Sequence, residues 1–510
     1  MMRAGKELVL AAGLSGTLFG CGGSPTPPPP AANHPFIGTM ASASAMPASD
    51  DPLGARPLPG MPPPFVPPAP VVYTATNGVT VWLLERHALP VVAITVAIPS
   101  GSAADPKNKG GVAYQTANML DEGAGKYGAL DLARAIDDIG ASLHTNANTD
   151  FSTASLFVLK RNLPAGFSLL SDVVARPKFS DAEWTRQSAL WKNDLKQRAS
   201  DPQEVAHVLY RTAFYGADHP YGHPVDGSSA SAAKVSLADL KAYYKSEWRP
   251  DRAIVIAVGD VTKSDLAPLL DASFGSWKAP SGAAAPPVAP PAPKGGPTRV
   301  VLVDRPGAPQ SVLAVAHAGV SAADPSSPIL NRTNLAFGGS FTSRLNQDLR
   351  EEHGWSYGAF SRVLRSRGTG QMIASSSVVT EKSTEALKAM LTDMTTFAKG
   401  GLTDEEVAKT QSQSRADLVG DYEEVQKLAA LLASDAAMGL PADYEAKASA
   451  ARDAASKDDL GKLAASFYNP DGAVVMAVGP KAALLAAISA AGLPAPQICD
   501  ADGNELSSKK

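Results

Sequence analysis

Two spacings of apolar residues alternate along this chain. Runs 91–99 and 254–259 are apolar at almost every position; the first predicts a strand and the second a buried strand. Strict alternation predicts a strand over Ser152–Leu159, and Val72, Tyr73, Val79, Val81, Trp82 and Leu83 predict a pair of strands. Longer segments with three-to-four-residue spacing predict helices over 111–120, 181–198 and 403–438.

The pattern repeats. Pro250-Asp251-Arg252-Ala253-Ile254-Val255-Ile256-Ala257-Val258-Gly259 matches Pro470-Asp471-Gly472-Ala473-Val474-Val475-Met476-Ala477-Val478-Gly479 at seven of ten positions, at an offset of 220 residues. Asp239-Leu240 and Asp459-Leu460 keep the same offset. Each block predicts a helix, a turn and a buried strand, so the chain carries two homologous halves. The mixture of elements predicts an α+β fold. Each half is expected to be a mainly antiparallel sheet with helices packed on one face, and the two halves to form a clam-shell-like pair.

Composition sets the boundaries of these halves. Residues 22 to about 70 and 280 to 297 are rich in Pro, Ala, Ser and Gly, which cannot bury a core and act as spacers. Ahead of them, Arg3 and Lys6 precede an apolar or small run, 8–20, too short to span a bilayer but long enough for a signal core. The run ends in Leu18-Phe19-Gly20-Cys21, which resembles the lipobox of bacterial lipoproteins and implies cleavage before Cys21 and lipidation of its sulfur. Gly22, in place of Asp, resembles outer-membrane sorting in a Gram-negative cell. The expected location is therefore the cell envelope, lipid-anchored at the outer membrane and facing the periplasm.

The expected segments are a signal peptide (1–20), lipidated Cys21 with its linker (21–70), a first half (71–279), a linker (280–297), a second half (298–495) and a tail (496–510). With Cys21 lipidated, Cys499 has no partner in the chain, so no disulfide framework is expected. A net charge of −4 from charges of both signs gives no reason to expect nucleic acid as a partner.

The predicted helix 111–120 contains Tyr114-Gln115-Thr116-Ala117-Asn118 and is followed by Asp121-Glu122-Gly123. Together with Ala141-Ser142-Leu143, His219-Pro220-Tyr221-Gly222 and Trp248-Arg249-Pro250, it resembles the pitrilysin/insulinase family, whose mark is H-x-x-E-H on a helix. The resemblance covers nearly everything from about residue 71 to 480. It implies that Tyr114 and Asn118 stand where two histidines would hold zinc, and Ala117 where a glutamate would activate water. Asp194 stands where a glutamate would be the third ligand.

A phenol with a pKa near ~10, a neutral amide and a methyl group cannot replace two imidazoles and a base. One remaining carboxylate cannot retain a zinc that normally takes three protein ligands. No metal is therefore expected in this chain. Asp121 and Glu122 are expected to be a solvated helix end. His219 and His223 have the H-x-x-x-H spacing of a helical metal pair, but Pro220, Gly222 and Pro224 interrupt any helix there. His144, His207, His317 and His353 are scattered and expected to be structural or exposed.

The second half keeps what the first has lost. Phe337-Gly338-Gly339-Ser340-Phe341-Thr342-Ser343-Arg344-Leu345 and the following Asn346-Gln347-Asp348-Leu349-Arg350-Glu351-Glu352-His353-Gly354-Trp355-Ser356-Tyr357 resemble the family's C-terminal signature. The resemblance implies that Arg350 and Tyr357 contact the substrate backbone and steady an oxyanion, chemistry suited to a guanidinium fork and a phenol donor. The bland alternative pairs Arg350 with Glu351 or Glu352 and buries Tyr357 in the core. Gly354-Trp355-Ser356-Tyr357-Gly358 also matches G-x-S-x-G, but with a helix before it and a strand over 359–364 after it. Ser356 is therefore not expected to be a nucleophile.

Retention of one half-site beside loss of the other implies the non-zinc subunit of a two-chain peptidase. Its partner would be an H-x-x-E-H homologue bearing the zinc, and its substrates unfolded peptides. Two alternatives are an inert peptide-binding or scaffold lipoprotein and an active peptidase with non-standard metal ligands.

Overall fold

The capping chemistry repeats with the sequence. Ser236 and Asp239 form a capping box at the start of helix Leu237–Glu247, and Ser456 and Asp459 form its counterpart at helix Lys457–Phe467. Each helix leads through a turn into a strand at the same offset. The computed structural model describes residues 65–282 and 284–506. The expected signal peptide and lipidated Cys21 lie outside them.

Two six-stranded mixed sheets result. The first orders β1 (Val71–Thr74), β2 (Thr80–Glu85), β3 (Val91–Ile98), β4 (Ser142–Ala147), β5 (Ser152–Leu159) and β6 (Ile254–Gly259) as β1-β2-β6-β3-β5-β4, with β2 and β6 parallel. The second contains β7 (Arg299–Asp304), β8 (Gln310–Ala318), β9 (Ser356–Leu364), β10 (Gln371–Val379), β11 (Val474–Gly479) and β12 (Gln497–Cys499), in the order β12-β7-β11-β8-β10-β9. Here β7 is parallel to both β11 and β12. Strand β12 falls inside 496–510, so this stretch, expected as a tail, adds a strand that buries Cys499.

Both faces of each sheet are covered, which explains the unbroken apolar runs. In the first sheet Val92, Ile94, Val96, Val255 and Ala257 pack under helices of their own half. Their alternates Ala93, Ala97, Ile256 and Val258 pack on Leu428, Leu432 and Ala436, from helix Val425–Met438 of the second half. The exchange is reciprocal. Val301, Val303, Val312, Met476 and Val478 of the second sheet pack on Val205 and Leu209, from helix Pro202–Tyr215 of the first half. The expectation of helices on one face therefore holds for each half's own helices, and the opposite face is closed by its sister. The predicted helix 403–438 is two helices, Asp404–Glu423 and Val425–Met438, because Glu424 leaves the helical region at φ −94°, ψ 122°.

A buried polar latch fastens the exchange. The Tyr221 hydroxyl donates to the Asp150 carboxylate at 2.6 Å and accepts from the backbone N–H of Gly368 at 3.0 Å. The Arg367 guanidinium donates to the carbonyls of Asp150 and Ala437, both at 2.9 Å or less. The His219-Pro220-Tyr221-Gly222 loop is thus a structural joint. A Cβ on Gly222 would fall 1.8 Å from the Gly216 carbonyl oxygen, which only glycine avoids.

Candidate functional site

Helix Val112–Leu120 starts from a strained position. Gly111 has φ 96°, and a Cβ there would meet Trp191 Cζ2 at 2.7 Å. Asp105 fixes the helix start, accepting from the backbone N–H groups of Gly111 and Ala113, each at 2.7 Å. Burial pushes the Asp105 carboxyl up to about 8, against the opposing pull of those N–H groups. The helix is therefore held firmly, with one face toward the interior of the molecule.

On that helix Tyr114 and Asn118, one turn apart, are the half-buried positions, whereas Gln115, Thr116 and Ala117 are buried. The geometry of a ligand pair survives, but its donors are a phenol and an amide. Ala117 offers nothing at 0 % exposure. Asp194 is exposed on helix Asp181–Arg198 and is not among the residues lining the cavity beside Tyr114. Among the described residues no group of three or more His, Cys, Asp or Glu stands within reach of one ion. This donor set does not fit a catalytic zinc.

Other sequence candidates resolve into structure. The Glu122 carboxylate accepts from Arg186 and Gln187, so it ties two helices together where a solvated end was expected. Burial pushes the Asp121 carboxyl up to about 6. His219 contacts the Pro291 carbonyl through Nε2 at 2.8 Å, and His223 contacts the Pro224 carbonyl through Nδ1 at 2.9 Å, so the two rings serve separate loop contacts. Ser356 opens β9 and donates to the Gly358 carbonyl, not to any base.

The retained signature adopts unusual backbone. Leu335–Gly339 and Gln347–Glu352 are π-helical segments, a rare geometry that is frequent at functional sites. Arg350 lies in the second, with its guanidinium 4.4 Å from the centre of the Phe341 ring and one nitrogen 3.3 Å from the Glu351 carboxylate. That nitrogen, Nη1, makes no hydrogen bond. Of the bland alternative only the Glu351 contact is present, because Tyr357 is 89 % exposed.

Tyr357 faces a cavity because of a fault in strand pairing. Along β9, Ala359 and Ser361 are buried while Phe360, Arg362 and Leu364 line a cavity of about 560 Å3. Strict alternation would send Tyr357 to the buried side with Ala359. The β9–β10 register shifts between Ser376 and Val378, and this irregularity leaves Tyr357 on the cavity wall. Arg350 is not on that wall.

Helix Pro202–Tyr215 forms the roof of the cavity through Gln203, His207, Tyr210 and Arg211. His207 and Arg211 also line a smaller cavity of about 380 Å3 that Tyr114 borders. Tyr114 and Tyr357 thus border adjoining spaces joined by His207, expected from the sequence to be structural or exposed, and by Arg211, which the sequence did not single out. Both joining residues belong to a helix whose covering surface comes from the other half of the chain, so no local pattern marks their role.

Comparisons with known proteins agree with this architecture. The model described as Insulinase (Peptidase family M16) matches residues 80–225, and that described as Peptidase M16 inactive domain matches residues 234–414. An uncharacterized zinc protease of Mycobacterium tuberculosis is 27% identical over 361 residues, 69% of this chain and 80% of the relative. The mitochondrial-processing peptidase subunit beta of Blastocladiella emersonii is 26% identical over 258 residues, 50% of this chain and 54% of the relative. The structure of a peptidase M16 inactive domain from Pseudomonas fluorescens superposes with a TM-score of 0.74 at 24% identity, over 81% of this chain and 98% of that one. A protease from Helicobacter pylori gives 0.74 at 18% identity, over 82% and 100%. With the repeated halves, the altered helix motif and the C-terminal signature all in register, the chain belongs to the insulinase family of peptidases, M16.

Proposed function

We propose that this chain is the non-zinc subunit of an insulinase-type peptidase, lending Arg350 and Tyr357 to a zinc-bearing H-x-x-E-H partner that hydrolyses unfolded peptides. The observation that carries the reading is Tyr357. A tyrosine 89 % exposed on a cavity wall, turned there by a register fault, does nothing for the core. Its hydroxyl is free to donate to a peptide carbonyl, and Arg350 lies in the segment just before it, its guanidinium stacked over the Phe341 ring. The kinship with a processing-peptidase subunit, a protein named as one part of an assembly, supports a role beside another chain. Lipidation at Cys21 would hold the complex at the outer membrane, facing the periplasm.

Co-purification with the zinc-bearing homologue and a peptide-cleavage assay test this. Mixing is expected to raise the partner's turnover, and Tyr357→Phe to lower kcat roughly 10²-fold, the usual cost of one oxyanion donor. Arg350→Ala is expected to act in the same direction. Turnover indifferent to this chain, or to both substitutions, sinks the proposal.

A second reading, an inert scaffold, draws on a different relative. The cytochrome b-c1 complex subunit 1 of Bos taurus is 24% identical over 208 residues, 41% of this chain and 43% of the relative. Under that reading peptides bind without turnover and Arg350→Ala leaves the protein's role intact.

A further inference from the structure

The charges around the larger cavity do not balance. Arg211 and Arg362 both line it, and no carboxylate does. Apart from His207, the remaining polar wall carries no carboxyl or further basic group and includes Ser356, Ser375, Ser376 and Ser377.

The two arginines are unusual within the molecule. Among the described residues every other arginine except the exposed Arg161 has a hydrogen-bond or ion-pair partner. Arg198, for example, bonds Asp226 at 2.6 Å, and Arg365 bonds Asp435 at 2.9 Å. Arg211 and Arg362 have none. Arg211 sits in the roof, where desolvation holds its guanidinium below its ordinary pKa and Asp150 and Asp226 act on it only at a distance. Arg362 rises from the floor on β9. Two like-charged guanidinium groups on one cavity with no counter-ion are unfavourable, and a ligand carboxylate would relieve that with a paired, charge-assisted bond.

We propose that the cavity between helix Pro202–Tyr215 and the second sheet is a subsite for a carboxylate of a bound peptide, gripped by Arg211 from above and Arg362 from below. The carboxylate can come from an acidic side chain or from a free C-terminus. The proposal rests on the reading of this interior as a peptide-handling site, and it adds substrate preference to it. Tyr357 on the same wall would then contact the peptide backbone beside the anchored residue.

Binding to the purified full chain tests this without any partner. Fluorescein-labelled peptides differing only by Glu against Gln at one internal position form one arm. Peptides differing only by a free against an amidated C-terminus form the other. Fluorescence anisotropy should show the carboxylate form binding at least about tenfold more tightly in one arm or both, which identifies the source. The double substitution Arg211→Gln with Arg362→Gln should abolish that preference. Arg362→Gln alone, on an exposed side chain that leaves folding intact, should reduce it severalfold. Equal binding of charged and neutral peptides overturns the proposal, as does a preference that survives the double substitution. If the preference is absent while the partner is still activated, the subsite falls and the subunit role stands. If the preference is present without activation, the reverse holds.

Discussion

At the scale of single residues, this protein separates geometry from chemistry. Tyr114 and Asn118 keep the one-turn spacing of a ligand pair and the half-buried face, but offer no donor suited to zinc. Those identities were fully legible in the sequence. Tyr357 was legible only as a motif position, since its exposure depends on a register shift between Ser376 and Val378 in the neighbouring strand. Arg211 and Arg362 were not legible, because a guanidinium declares itself only through the partners it lacks in space.

One buried carboxyl near the signature makes a pH prediction. Burial and the adjacent Asp348 carboxyl push Asp393 up to about 7. The folded state then holds a proton that the unfolded chain releases near pH 4, so stability falls as pH rises from about 4 to about 7. Asp393→Asn should flatten that decline, which is at most about 1.4 kcal/mol per pH unit, in urea titrations at several pH values. An unchanged slope would contradict the shared burial of Asp348 and Asp393.

At the scale of elements, the repeat was the strongest signal and it held in detail. The shared offset predicted matching helix, turn and strand, and the structure adds matching capping boxes at Ser236 and Ser456. Each cap satisfies one orphan N–H, so Ser236→Ala and Ser456→Ala should each cost about 1 kcal/mol. Lying in different halves with no shared partners, the two losses should add in the double variant when read by denaturant unfolding. A marked departure from additivity would mean that these helices are coupled in a way their contacts do not reveal. The elements that sequence missed are those whose form is set by distant packing. The break at Glu424, the π-helical segments around Phe337 and Arg350, and the short strand β12 carry no distinctive local composition.

At the scale of the whole molecule, each half lends a helix to the other's sheet, so neither sheet is covered without both. Apolar runs at 91–99 and 254–259 announced strands, with helices expected on one face, but the sequence could not say that a second cover comes from the sister half. Leu432→Asp places a charge among Trp82, Ile256 and Val258, in a second-half helix packed on the first-half sheet. It should cost more than about 3 kcal/mol and lower the melting temperature of both halves together in one transition. Separate melting of an intact first half would contradict the exchange.

The proposed division of labour between two chains requires above all that this one hold no catalytic metal of its own. Elemental analysis of the purified, untreated protein reads that directly. The expected result is zinc far below one ion per chain, with no peptide cleavage by the isolated protein. A stoichiometric ion that disappears on Asp194→Ala, accompanied by cleavage activity, would contradict it.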